Sequence, residues 1–157
     1  MKSRNVPEHG VVGAAQAGDR IGPGSIVALR SRLKRAGLRP TRQRIALGSL
    51  LLGAGPRHVT AESLFEEARR AGAPLSLATV YNALRQFTAA GLLREIAIEG
   101  SRTHFDTNTA HHHHFMVDGE LFDIGDSIEI AGAPPPPEGM EVDRIDVVIR
   151  LRPKSSS

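Results

Sequence analysis

Apolar residues recur every three or four positions in four segments between residues 25 and 91, and this spacing predicts four amphipathic helices. A serine or threonine precedes each segment as a candidate cap, and a glycine follows each one. The predicted helices run from Ser25 to Gly37, from Thr41 to Gly53, from Thr60 to Gly72 and from Ser76 to Gly91. The clearest apolar stripe belongs to the fourth helix and comprises Leu77, Val80, Leu84 and Phe87. This stripe is expected to face a core.

A β-hairpin is predicted after the fourth helix, with strands at 93–98 and 102–105 and a turn at Glu99 and Gly100. Helices followed by a basic hairpin are the layout of a winged helix-turn-helix. The polar side of the fourth helix suits hydrogen bonds with phosphates and base edges. It presents Thr79, Asn82, Arg85 and Gln86, with Tyr81 at its edge.

Beyond Asp106 the pattern changes to short strands at 115–117, 121–124 and 144–151. Residues 126–130 fit either another strand or a short helix, and the prolines at 134–137 indicate a loop. A small α/β domain with so few aromatic residues has a thin core. It gains most by burying a sheet face or edge against a second copy, so a homodimer is expected.

The predicted fold class is therefore α+β, with an N-terminal winged helix-turn-helix domain followed by a small α/β dimerisation domain. Residues 1–24 lack periodicity and are predicted to form a flexible arm. Residues 25–106 are assigned to the DNA-binding domain, 107–153 to the dimerisation and sensing domain, and 154–157 to a disordered tail.

The formal net charge of +3 conceals an uneven distribution. Residues 25–105 carry thirteen basic and five acidic groups, or +8, whereas residues 106–157 carry four and ten, or −6. This division indicates a module that binds a polyanion joined to one that binds cations or another subunit. Absence of cysteine excludes disulfides, thiolate zinc sites and cysteine nucleophiles. No apolar run reaches the roughly 18 residues that span a bilayer and no signal peptide is evident, so a cytoplasmic location is expected.

Four consecutive histidines, His111 to His114, lie within the segment TNTAHHHHFMVDGELFDI. In an extended segment His111 and His113 share one side, and His112 and His114 share the other. Imidazoles with nearby carboxylates are typical ligands of Zn, Mn or Fe. The run therefore predicts metal binding.

Two other classes of function fit the sequence less well. A metal-dependent hydrolase needs a general base beside an open coordination site, and no motif supplies one. A metal-storage or chaperone role leaves the +8 segment and the helix-hairpin pattern unexplained. The chain is accordingly predicted not to be an enzyme.

Five motifs in order resemble the ferric uptake regulator (Fur) family, and the resemblance covers residues 25–152. They are GLRPTRQR at 37–44, HVTAESLF at 58–65, SLATVYNAL at 76–84, AAGLLRE at 89–95 and HHHHF at 111–115. The resemblance implies a dimeric winged-helix repressor whose DNA affinity depends on metal bound between its two domains. The cysteine pair and the histidine-rich tail usual in the family are missing here. These departures resemble the iron response regulator (Irr) branch, which implies haem sensing.

The resemblance also implies particular site residues. A hinge metal site matches His58, Asp106, His114 and Asp123. A second, incomplete metal site matches His111, His113 and Glu129, with no counterpart for the family's tail histidine. Haem would be held by His111, His112, His113 and His114. The cysteine-containing haem motif found in some Irr members has no counterpart here.

The leading hypothesis is a regulator of iron homeostasis that binds an A/T-rich palindromic operator and loses affinity when haem binds. The alternative is a regulator activated directly by Mn, Fe or Zn at the hinge site. Phosphate contacts are expected from Arg39, Arg42, Arg44 and Arg102. Base contacts are expected from Thr79, Tyr81, Asn82 and Arg85, with the ring of Tyr81 suited to a thymine methyl.

Overall fold

The structure, a computed structural model, describes residues 23–154. The predicted flexible arm, apart from its last two residues, and the last three residues of the predicted tail lie outside this range. The chain divides into two units between Ala110 and His111. We call residues 23–110 the helical unit and residues 111–154 the strand unit; the predicted domain boundary lay four residues earlier.

Four helices lie in the helical unit, and three of the four predicted caps are confirmed. The helices are α1 (Pro23–Arg35), α2 (Arg42–Leu52), α3 (Ala61–Arg70) and α4 (Leu77–Ala89). Thr41, Thr60 and Ser76 each accept a backbone N–H of the first turn. The predicted cap at Ser25 is wrong because α1 already begins at Pro23, a residue type that is favoured in a first helical turn.

The sequence predicted that the apolar stripe of α4 faces a core, which is confirmed for Val80, Leu84 and Phe87 but wrong for Leu77, the first residue of α4, which is 36% exposed. The apolar stripes of the four helices meet in one core. Its fully buried members include Leu33 of α1, Leu47 of α2, Leu64 of α3 and Phe87 of α4, all with 0% exposure. Gly48 lets α1 and α2 approach closely, since a Cβ there would lie 3.1 Å from Cδ1 of Leu29. This core fixes α4 as a rigid surface element.

A three-stranded antiparallel sheet completes the helical unit. Its strands are β1 (His58–Val59), β2 (Arg94–Ile96) and β3 (His104–Asp106), in the order β1-β3-β2. The predicted hairpin is thus confirmed as β2 and β3. The sequence did not predict β1, because two residues are too few to show a strand periodicity.

The strand unit contains β4 (His114–Val117), β5 (Glu120–Asp123) and β6 (Val148–Arg150), in the order β5-β4-β6. Strand β4 pairs antiparallel with β5 and parallel with β6. Residues 126–130, expected to be a strand or a helix, form neither, and the predicted strand at 144–151 shortens to β6. The described residues of this unit include no helix.

The two units together confirm a mixed fold with an N-terminal helical domain and a smaller domain after it. Within residues 23–154, no helix has both the length and the apolar character that crossing a membrane requires.

Candidate metal centre and nucleic-acid surface

A histidine and a carboxylate face each other across two strands of the helical unit. His58 of β1 lies directly opposite Asp106 of β3 in the antiparallel register. The Nε2 atom of His58 is 3.5 Å from Oδ2 of Asp106. Asp106 is completely buried, and its Oδ1 accepts the backbone N–H of Asn108 at 2.8 Å. This pair offers one nitrogen and one oxygen ligand from a rigid sheet.

Arg57 fixes the chain just before His58. Its guanidinium binds the carboxylate of Glu67, with Nη1 3.0 Å from Oε2, and Nη1 also donates to the carbonyl of Leu50 at 3.1 Å. Its backbone N–H donates to Oγ1 of Thr107 at 2.9 Å. Arg57 therefore ties β1 to α2, α3 and the end of β3, which holds His58 in register with Asp106.

The strand unit repeats this arrangement. His114 of β4 lies opposite Asp123 of β5, with Nε2 3.6 Å from Oδ1. The register follows from a two-residue turn at Asp118 and Gly119, whose φ values of 49° and 85° lie in the left-handed region. His114 is 1% exposed. The turn therefore determines which acid meets His114.

His112 lies beside the His114–Asp123 pair as a third candidate ligand, which was not predicted from the sequence. Its Nε2 lies 3.1 Å from the same Oδ1 of Asp123. One ligand atom from each of His112, His114 and Asp123 lies within 4.8 Å of the others. The signal was present in the alternation along the run, which already placed His112 and His114 on the same side. We call His112, His114 and Asp123 the strand-unit ligand group.

The other two histidines of the run contact the segment before β6. Nε2 of His111 lies 3.2 Å from the carbonyl oxygen of Ile145, and the N–H of Val147 donates to Nδ1 of His113 at 3.2 Å. The ring centroids of His111 and His113 are 4.9 Å apart, and those of His112 and His114 are 4.5 Å apart. The predicted alternation is confirmed. The hydrogen bond from Val147 occupies the Nδ1 lone pair of His113, so a neutral ring carries its proton on Nε2.

Glu129 was expected to complete a second metal site with His111 and His113. It is exposed and lies outside the helices and strands. Among the residues described, no group of three or more close potential ligands includes it.

The residues predicted to contact DNA lie on α2, on α4, in the loop between β2 and β3 and in the loop before α2. Those exposed to solvent are Arg39, Arg42, Asn82, Arg85 and Arg102. Arg44, Thr79 and Tyr81 are half-buried. The hydroxyl of Thr79 lies 2.8 Å from that of the capping residue Ser76.

Arg44 is engaged within the protein. Its Nε and Nη2 donate to Oε1 of Gln86 at 3.1 and 2.9 Å, and Nη1 donates to the carbonyl of Arg39 at 2.7 Å. These bonds join the start of α2 to the second half of α4. Gln86 was noted on the polar face of α4, but the pattern gave no indication of this partner.

Tyr81 donates its hydroxyl hydrogen to Oε1 of Glu62 at 2.9 Å. The pKa of Glu62 is lowered from 4.5, mainly because its own backbone N–H hydrogen-bonds the carboxylate; the Tyr81 hydroxyl and the charge of Arg102 also lower it, while burial opposes the shift. The pKa of Tyr81 is raised from 10.0, chiefly by the hydrogen bond to Glu62. Glu62 was not among the residues singled out from the sequence.

Comparison with known sequences gives matches over most of the chain. The family model described as the ferric uptake regulator family matches residues 35–131. A ferric uptake regulation protein of Pseudomonas aeruginosa is 37% identical over 103 residues, which cover 66% of this chain and 75% of that relative. One of Vibrio parahaemolyticus is 35% identical over 99 residues, which cover 63% of this chain and 64% of that relative.

Solved structures similar to this chain are also ferric uptake regulators. The ferric uptake regulator from Pseudomonas aeruginosa with manganese is similar with a TM-score of 0.61 and 28% identity, covering 80% of this chain and 97% of that one. The Vibrio cholerae ferric uptake regulator has a TM-score of 0.62 and 24% identity, covering 78% and 98%. The second likeness concerns the fold alone.

Proposed function

Because this chain belongs to the ferric uptake regulator family, whose members are metal-responsive transcription regulators, we propose that it binds DNA with an affinity set by a divalent metal ion. The observation that carries the proposal is the repeated cross-strand pairing of histidine with aspartate. It occurs as His58 with Asp106 and as His114 with Asp123. Two such pairs on separate strands supply the mixed nitrogen and oxygen donors that Mn, Fe and Zn accept.

We propose that the His58–Asp106 pair and the strand-unit ligand group together ligate one ion. This set enlarges the hinge site predicted from the family resemblance by one residue, His112. When bound, the ion supplies a positive charge that stabilises carboxylates in a buried setting. Manganese is the first ion to test, because the Pseudomonas aeruginosa relative was solved with it.

Ligand residues drawn from both units provide a physical route to regulation. His58 and Asp106 belong to the unit that carries α4, whereas His112, His114 and Asp123 belong to the strand unit. Shared coordination would restrict the arrangements open to the two units. A ligand shifts an equilibrium between two conformations only if it binds one of them more tightly. Metal therefore raises DNA affinity if the arrangement of the two units that binds metal is also the arrangement that binds DNA.

The proposed DNA complex is a homodimer on an A/T-rich palindrome, with one α4 in each half-site. Three of the predicted phosphate contacts are exposed to solvent, namely Arg39, Arg42 and Arg102. The guanidinium of the fourth, Arg44, instead donates hydrogen bonds to Gln86. We assign phosphate neutralisation to these three first. Base contacts are assigned to Asn82, Arg85 and the ring of Tyr81. Iron homeostasis is the proposed process, because the relatives are named as ferric uptake regulation proteins.

Haem control is a second proposal, favoured by the exposed ring of His111 within a cysteine-free histidine run. It demands more rearrangement than direct metal binding. His113 and His114 are 6% and 1% exposed, and Nδ1 of His113 is engaged with Val147. A second metal site at His111, His113 and Glu129 would also require His113 to rearrange. We therefore rank haem control and this second site below the site shared by His58, Asp106 and the strand-unit ligand group.

One titration separates these proposals. Duplexes selected from a random pool by the manganese-loaded protein serve as DNA, and manganese or haem is added to the wild type, to the double variant His112→Ala/His114→Ala and to the single variant His111→Ala. Direct metal control predicts that manganese tightens DNA binding in the wild type and His111→Ala, but not in the double variant. Haem control instead predicts a Soret shift and weaker DNA binding that depend on the run. Selection of no duplex at any metal concentration would contradict the DNA-binding proposal itself.

A further inference from the structure

Glu62 is an acidic residue placed among the side chains assigned to DNA. It lies in the first turn of α3, and its Oε1 accepts the hydroxyl hydrogen of Tyr81 on α4 at 2.9 Å. The positive charge of Arg102, in the loop between β2 and β3, acts on the same carboxylate. Residues 25–105 carry a net charge of +8, yet the negative charge of Glu62 lies where it opposes phosphate binding. Glu62 therefore does not serve DNA affinity at this place, and its role must be a different one.

Both ends of this hydrogen bond are held firmly. The first turn of α3 is fixed by a reciprocal capping box, in which Thr60 accepts the N–H of Ser63 and Ser63 accepts the N–H of Thr60. Tyr81 packs against the apolar core of the helical unit. The bond therefore fixes the direction of the Tyr81 ring relative to α4.

The hydrogen bond also decides what Tyr81 offers to a ligand. A phenol hydroxyl has one hydrogen to donate, and Glu62 receives it. The hydroxyl is then left with lone pairs only, which a phosphate oxygen repels. The ring remains available for apolar contact, and in the major groove the apolar group of a base is the thymine methyl.

We propose that Glu62 is a positioning residue that sets the specificity of DNA reading: it holds Tyr81 so that the ring meets thymine methyl groups and the hydroxyl does not meet the phosphate backbone. The inference rests on the proposed DNA-binding function. It adds to that function a residue that acts on which bases are read, at some cost in overall affinity.

The test removes the methyl groups one at a time. In the selected duplex each thymine is replaced by uracil, which deletes one methyl and keeps the pairing. Loss of a methyl contact should weaken wild-type binding about fourfold at the positions read by Tyr81. The same series is measured with Glu62→Gln, Glu62→Leu and Tyr81→Phe. Glu66→Gln serves as the matched control, because Glu66 is one turn further along α3 and pairs with Arg69 of the same helix.

Glu62→Gln and Glu62→Leu both lose the charge, but only the glutamine keeps an oxygen that can accept the hydroxyl hydrogen. We expect the methyl effect to persist in Glu62→Gln and Glu66→Gln, and to shrink towards none in Glu62→Leu and in Tyr81→Phe. Thermal melting checks that each variant is folded, and Tyr81→Phe breaks the same bond without altering α3. A full methyl effect in both Glu62→Leu and Tyr81→Phe overturns the inference, as does its absence from a wild type that binds the duplex in a metal-dependent way. Failure of the wild type to select any duplex overturns the proposed function along with it.

Discussion

The Nε2 atom of His112 lies 3.1 Å from Oδ1 of Asp123, closer than the 3.6 Å that separates the same oxygen from His114. Yet only His114 is paired with Asp123 across the β4–β5 ladder. His112 precedes β4 and reaches the carboxylate from two positions earlier along the chain. A ligand group of three residues thus arises from one cross-strand pair and the alternation of side chains.

Replacing His112 with alanine should lower manganese affinity more than replacing His111, although both are histidines of the same run. His112 lies beside Asp123, whereas His111 contacts the carbonyl of Ile145. Loss of a direct ligand should cost at least the roughly 10- to 100-fold that loss of an outer-shell partner usually costs. Isothermal titration of both variants measures the difference. Equal losses would contradict the division of the run into two sides.

Gly119 should matter for metal binding although it is no ligand. Its φ of +85° belongs to the turn that sets His114 opposite Asp123. A side chain there costs about 1–2 kcal/mol in a left-handed conformation. We expect Gly119→Ala to lower both the melting temperature and manganese affinity. Gly125→Ala is the control, because the φ of Gly125 lies outside the left-handed region and a Cβ there would meet no atom within 4 Å; a matching loss in that variant would refute the turn's role.

The sequence predicted those features that depend on short-range patterns. Helix caps at Thr41, Thr60 and Ser76 follow from local hydrogen bonding, and the alternation of the histidines follows from extended backbone. Bonds such as that between Arg44 and Gln86, 42 positions apart, depend on how helices pack. No periodicity within one segment contains that information, so the bond of Gln86 with Arg44 and that of Glu62 with Tyr81 emerged only from the structure.

His113 should support the strand unit through Val147. The buried ring accepts the N–H of Val147, which is 34 positions away. Asparagine places an oxygen near the position of Nδ1, whereas leucine fills the space and leaves the N–H without its acceptor, a loss of about 1–3 kcal/mol. Hydrogen exchange of the Val147 amide should therefore accelerate in His113→Leu and stay slow in His113→Asn. Equal exchange in the two variants would count against this contact.

Arg42 and Arg44 should differ in their effect on DNA binding. Arg42 is exposed, whereas the guanidinium of Arg44 is bonded to Gln86 and to the carbonyl of Arg39. Each phosphate contact adds about 0.9 to the slope of log affinity against log salt. Arg42→Ala should reduce that slope by about this amount, and Arg44→Ala should reduce it less while lowering the melting temperature more. If Arg44→Ala instead reduced the slope by about 0.9, Arg44 would be a phosphate contact after all.

The Glu62–Tyr81 bond should leave a mark on stability at both ends of the pH range. The pKa of Glu62 is lowered from 4.5 on folding, so its contribution is present above that pH and is lost as the pH falls through the folded-state value. The pKa of Tyr81 is raised from 10.0, so its contribution is present below that pH and is lost as the pH rises through the folded-state value. Urea denaturation of the wild type and Glu62→Gln at a series of pH values isolates the acid limb, since the variant lacks that carboxyl group. In Tyr81→Phe most of the loss of stability at acid pH should remain, because the largest cause of the lowered Glu62 pKa is the backbone N–H of Glu62 itself. The loss of stability at alkaline pH should disappear in this variant, because it lacks the phenol group that titrates. Parallel curves for the wild type and Glu62→Gln below pH 4.5 would show that the carboxylate makes no such contribution.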